Sequence, residues 1–128
     1  MASVSLPPRL VRERRPNPVR SCPAHRAWVR KHRCSVPGCL AGPIECAHVR
    51  TGTDGGIALK PSDRWTISLC RAHHAEQHQI GEPAFEIRYG LDLVALAEVF
   101  ARRSPHRRVL EDAGTARPHR PRQMHFAP

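Results

Sequence analysis

Hydrophobic and polar residues change rhythm several times along this chain, and each change predicts an element. From Ile44 to Val49 the period is that of a strand, with Ile44, Cys46 and His48 on one face. Arg64 to Leu69 alternate more cleanly, with Trp65, Ile67 and Leu69 on one side and Arg64, Thr66 and Ser68 on the other. A helix is expected from Cys70 to about Ile80, ended by Gly81 and Pro83. Leu93, Leu96, Ala97, Phe100 and Ala101 then recur at the spacing of an amphipathic helix. Upstream, Ser21 is placed to cap a helix through His32, with Pro23 in its first turn and Trp28 toward the core. Cys34 to Cys39 turn around Pro37-Gly38, and Thr51 to Gly56 form a glycine-rich loop. Trp65, Phe85 and Tyr89 read as packing residues.

Both ends lack any such rhythm. Pro7, Pro8, Pro16 and Pro18 alternate with Arg9, Arg12, Arg14, Arg15 and Arg20. Residues 1–20 are therefore expected to be a disordered basic arm, residues 21–103 the folded domain, and residues 104–128 a flexible basic tail. The expected fold class is α+β, a small zinc-stabilised core with flanking helices.

Composition sharpens this picture. The chain has 128 residues and 13 prolines, so its core is small, and domains of that size often need a metal or disulfides. Five cysteines is an odd number, and the first 20 residues have no apolar leader segment. A cytoplasmic, reducing location is expected, which favours metal binding over disulfides. No apolar run is long enough to span a membrane. A net charge of +10 favours a polyanionic partner, above all nucleic acid.

The chemistry concentrates in one stretch, Cys70-Arg71-Ala72-His73-His74-Ala75-Glu76-Gln77-His78. Cys70 and His73 have a zinc-binding spacing, and Cys34 with Cys39 supplies a second short-spaced pair. Together they make the four soft or borderline ligands that tetrahedral zinc prefers. Cys46 is a rival for one place, and His74 is a rival for that of His73. Cys22 reads as a helix-start residue with no metal. His74 and His78 are four apart, so on a helix they share a face and can hold a second ion.

With these residues in hand, Cys34-x4-Cys39, Ala47-His48-Val49 and Leu69-Cys70-Arg71-Ala72-His73-His74-x3-His78 resemble the HNH endonucleases, His-Me finger nucleases with a ββα-metal core. Ala47 to Gly52, Lys60 to Trp65 and Leu69 to Gly81 are similar to the phage recombination-enhancement branch of that family. The resemblance covers about residues 22–104. It implies that His48 is the general base toward the attacking water. It implies that His74 and His78 hold a divalent ion, Mg or Mn or another, at the scissile phosphate. It also implies that Cys34, Cys39, Cys70 and His73 hold structural zinc.

Two departures matter. Ala47 stands where many members have a metal ligand, and Trp65 stands near the position of the middle Asn of the name. Asp63 is the candidate to complete the site, either reaching the metal or orienting His48; as a plain turn aspartate in Pro61-Ser62-Asp63 it would do neither. Glu45 is expected to point away from His48, and Asp54 to lie in the loop. Arg50, Lys60, Arg64 and Arg71 are candidates for phosphate contact, and the arms would add non-specific affinity. The expected function is a metal-dependent DNA endonuclease, with DNA and a recombinase–DNA filament as partners. The rivals are an inactive zinc-stabilised nucleic-acid-binding module and a zinc scaffold for recombination proteins.

Overall fold

The computed structural model describes residues 20–55 and 60–114. A two-stranded antiparallel hairpin, β1 (Ile44–His48) and β2 (Thr66–Cys70), organises them. α1 (Pro23–Val29) precedes it, and α2 (Arg71–Ile80), α3 (Glu82–Tyr89), α4 (Leu93–Arg103) and α5 (Arg107–Gly114) follow. The described residues are thus a small mixed α+β fold. No helix among them is long and apolar enough to cross a membrane.

The register pairs Glu45 with Leu69, Ala47 with Ile67 and His48 with Thr66. Ala47, Ile67 and Leu69 thereby share a face and join Val49, Trp65, Phe85, Leu93 and Ala97 in the main core. Burial of Phe85, Ile67, Leu69 and Leu93 contributes roughly 1.5–3 kcal/mol each. The alternation in 64–69 is real, yet β2 is buried throughout, because its polar face is covered too. Ser68 Oγ donates to the Arg33 carbonyl at 2.6 Å and lies 3.2 Å from Ser35 Oγ.

Thr66, on that same face, ties α1 to the sheet through buried His25. His25 Nε2 lies 3.2 Å from Thr66 Oγ1, and His25 Nδ1 lies 2.8 Å from Ser104 Oγ. The Thr66 hydroxyl donates its one hydrogen to the Asp63 carbonyl, at 2.8 Å. Thr66 must therefore accept from His25 Nε2–H, which leaves Nδ1 to accept from the Ser104 hydroxyl. Ser104 Oγ in turn accepts from the His106 backbone N–H at 3.1 Å. Neutral His25 satisfies every member, and burial holds its pKa down at about 4.

Several boundaries differ from the sequence expectation. α1 begins at Pro23 with Cys22, not Ser21, in the cap position, and Trp28 is half-buried against His32 and Phe100. Gly81, at φ +85°, ends α2 as expected, but Pro83 lies in the first turn of α3 and so starts a helix. Phe85 on that helix is fully buried. The flexible tail expected from residue 104 is a second correction. α5 is helical, and Leu110 packs with Cys22 and Ala101. Ser104-Pro105 is the start signal that marks it. Arg20, expected in the arm, bonds the loop instead: its guanidinium donates to the Lys60 carbonyl at 2.9 Å and pairs with Asp54 at 3.5 Å. Asp54 accepts from the Ser62 N–H at 3.1 Å, so it braces that loop. The remainder of both expected tails, residues 1–19 and 115–128, lies outside the described residues.

Candidate functional site

The first cluster joins the turn before β1 to the start of α2. Cys34, Cys39, Cys70 and His73 offer ligand atoms that all lie within 4.8 Å of one another. Gly38, at φ +77°, closes the turn that carries the first two. Cys39 Sγ and Cys70 Sγ are 3.9 Å apart, and His73 Nδ1 lies 3.4 Å from Cys34 Sγ and 3.2 Å from Cys70 Sγ. Tetrahedral zinc requires S–S edges of about 3.8 Å and S–N edges of about 3.6 Å. The donor set and spacing therefore fit a metal such as zinc. All five cysteines are free thiols. Burial pushes the Cys34 thiol up to about 11, whereas a backbone hydrogen bond from Ala41 lowers that of Cys39. Cys46 stands outside this cluster, as does Cys22.

The second set lines a cleft of about 480 Å³. β1 supplies Glu45, Cys46 and His48, α2 supplies His74 and His78, and Arg26, Arg30, Arg50 and Lys60 complete the wall. A smaller cavity of about 250 Å³ shares His48, Arg50 and His78 with it. Glu82, at the start of α3, fixes the segment after β1 by accepting from the Arg50 and Thr51 N–H groups at 2.9 and 2.7 Å. Burial pushes the Cys46 thiol up to about 11, so it lines the cleft as a neutral group.

Asp63 is buried beside His48, and both of its carboxylate oxygens have partners. Its Oδ1 accepts from His48 Nε2 at 2.8 Å. Its Oδ2 accepts from the Cys22 N–H at 2.7 Å and pairs with Arg26. Burial opposes its ionisation, but the bonds from His48, Cys22 and Arg26 outweigh that and hold its carboxyl at about 2. Asp63 is thus placed to orient His48. Because Nε2 is committed to a carboxylate, Nδ1 is the nitrogen through which His48 can accept a proton.

His74 and His78 present Nε2 atoms 3.2 Å apart. Two imidazole nitrogens on one ion at about 2.0–2.1 Å are separated by roughly 2.9–3.4 Å. His74 Nδ1 lies 3.0 Å from Glu45 Oε1, and that hydrogen bond lowers the Glu45 pKa against a smaller desolvation effect. A carboxylate on the far nitrogen is the arrangement that aims a histidine's other nitrogen at a metal. Glu45 was expected on the strand face opposite His48, and it lies there. The site, however, draws on both faces of β1, and α2 meets Glu45 on its own face. No third His, Cys, Asp or Glu closes a cluster around the His74–His78 pair among the described residues.

Of the four candidate phosphate contacts, Arg50 and Lys60 line the cleft. Arg64 instead stacks over Trp65 at 4.3 Å, and Arg71 pairs with Glu45 at 3.6 Å. Arg26 and Arg30 take those places on the cleft wall. Sequence reasoning missed them because nothing local connects α1 to the hairpin. The only hint was their spacing of four on a predicted helix.

No curated protein and no solved structure matches the chain. A family model does match residues 7–104, a span that takes in the four-ligand cluster and the whole cleft. By that match the chain belongs to the family described as Protein of unknown function (DUF968).

Proposed function

We propose that this chain is a metal-dependent endonuclease of HNH type that hydrolyses phosphodiester bonds in DNA. The observation that carries the reading is the His48–Asp63 pair, 2.8 Å apart, in one cationic cleft with the His74–His78 pair. A divalent ion held by His74 and His78 would stabilise charge on the scissile phosphate and on the leaving oxygen. His48 Nδ1 accepts a proton from the water that attacks phosphorus. Asp63 holds the His48 ring and stabilises the imidazolium that results. The bond from phosphorus to the 3′ oxygen breaks, leaving a 5′-phosphate and a 3′-hydroxyl. Glu45 fixes His74 from behind, and Arg50 and Lys60 attract the phosphate. Zinc at Cys34, Cys39, Cys70 and His73 would tie the turn before β1 to the start of α2.

One observation favours a second reading, a binding module without catalysis: Ala47 and the described residues around the His pair supply no third ligand. Incubating supercoiled plasmid with the protein and Mg or Mn separates the two. Nicking by the parental protein that is lost in His48→Ala supports the nuclease. A gel shift with no cleavage under any divalent ion supports the binding module, and neither result sinks both.

A further inference from the structure

The proposed reaction gives Arg50 and Lys60 a role but leaves Arg30, in the same cleft wall, without one. The described arginines sort by what holds them. Arg20 pairs with Asp54, Arg26 with Asp63, Arg71 with Glu45 and Arg88 with Glu76. The side chains of Arg30, Arg50 and Lys60 form no ion pair with a carboxylate among the described residues, yet all three line the same cleft. They reach it from three separate segments: the end of α1, the residue pair after β1 and the stretch before β2. Like charges are not gathered into one concavity for stability, since their mutual repulsion opposes it. An anion is the complement that such a wall fits.

Charge also decides how much anion. A phosphodiester carries one negative charge. Arg30, Arg50 and Lys60 contribute three positive charges, and a divalent ion at the histidines would add two. The one carboxylate lining the cleft, Glu45, is already offset by Arg71. A single phosphodiester would leave the cleft strongly positive, whereas several consecutive phosphates would neutralise it.

We infer that Arg30 forms a subsite for a phosphate next to the scissile one, so that the substrate is a polynucleotide strand and not a mononucleotide or a small phosphodiester. This rests on the nuclease reading and adds a positioning residue from α1, outside the hairpin and α2. Arg30 sits at the exposed C-terminal cap of α1, so it can be replaced without disturbing the core.

The test uses the full chain without divalent ion and a fluorescently labelled oligonucleotide, with anisotropy read over a salt series. Each phosphate contact contributes about 0.7 to the slope of log affinity against log salt for single strands, and about 0.9 for B-DNA. Arg30→Ala should weaken binding several-fold and flatten the slope by about that amount. Arg30→Lys should restore most of the slope. Arg103→Ala, in the last turn of α4 and away from the cleft, serves as the control for mere loss of charge. With Mg or Mn added, Arg30→Ala should raise KM for plasmid and leave kcat near the parental value. Equal slopes for Arg30→Ala and Arg103→Ala, with parental binding intact, would overturn the subsite and leave the nuclease reading standing. A parental protein that neither binds nor cuts would overturn both.

Discussion

Asp63→Asn is the most informative single change, because the two carboxylate oxygens have different partners. Oδ2 accepts from the Cys22 N–H and from Arg26, and both of those are donors. The asparagine must keep its carbonyl oxygen there, so its amide NH2 faces His48 Nε2. That amide donates, and Nε2 must then accept. The imidazole proton moves to Nδ1, the atom that takes a proton from water in the proposed reaction. Catalysis should fall by about 10²–10⁴-fold, the range for a positioned general base and for a triad aspartate replaced by asparagine. Stability should fall as well. The folded pKa of Asp63 is lowered from 3.8 to about 2. A carboxylate so lowered stabilises the fold above pH ~4 by about 2 kcal/mol, and that stabilisation is lost as pH falls from about 4 toward 2. Three measurements test this: plasmid nicking with Mn, urea melts at pH 7, and the 15N shifts of the His48 ring. At pH 7 the variant should melt at a lower urea concentration than the parent. A variant that nicks at the parental rate with its His48 proton still on Nε2 would refute the argument.

The other predictions follow from single features. One zinc per chain should be found by elemental analysis, and chelation should abolish the cooperative melt, since structural zinc contributes on the order of 10 kcal/mol in small domains; a metal-free sample that melts like the native one would contradict this. His48→Ala should lower cleavage by about 10²-fold or more while DNA binding survives, and excess metal should partly rescue His74→Ala but not His48→Ala. His25 is buried neutral with a pKa held at about 4 by desolvation, so it stabilises the fold above pH ~6.5 and progressively less as pH falls toward 4. His25→Gln should flatten the stability profile across that window, and an unaltered profile in urea melts would show that His25 is not its source. Removing residues 1–19 and 115–128 should weaken DNA binding and reduce its salt slope, since those segments hold many of the arginines; an unchanged slope would assign the phosphate contacts to the folded core.

What was legible in the sequence was what is local. Cys70 caps α2, and His73, His74 and His78 lie on its first turns, so their spacing marked the candidates, while the fold is what groups His73 and not His74 with the three cysteines. The period of two in 44–49 and 64–69 gave both strands and the correct split of their faces. The α4 stripe matched its helix, with Asp92 accepting from the Ala95 N–H at 3.0 Å. What failed was non-local or short. α3 and α5 each have only 8 residues, too few turns for a clear rhythm, so only Gly81-x-Pro83 and Ser104-Pro105 announce them. Arg26 and Arg30 reach the cleft because long-range bonds, His25 to Thr66 and Cys22 and Arg26 to Asp63, hold α1 against the polar face of β2.

The position of Glu45 exposes how the site is built. Alternation places Glu45 and His48 on opposite faces, and in an interior strand that would separate them. β1, however, pairs only with β2 among the described residues, so one long edge has no neighbouring strand. Around such an edge, groups from both faces can meet in one cleft. His48 comes from the side where Thr66 meets α1, held by Asp63. His74 comes from the side of α2, held by Glu45. His48 and His74 therefore each have their own carboxylate, and neither carboxylate serves the other histidine. This division predicts separable defects. Glu45→Gln keeps an acceptor oxygen that can face His74 Nδ1–H, so it should weaken the apparent affinity for the activating ion only modestly; Glu45→Ala should weaken it by about 10–100-fold. Neither should change the tautomer of His48. Isothermal titration of Mn into the zinc-loaded protein, alongside the 15N shifts of His48, reads the two halves independently. If Glu45→Ala altered the His48 tautomer while leaving Mn affinity untouched, the two carboxylates would not be dividing the work in this way.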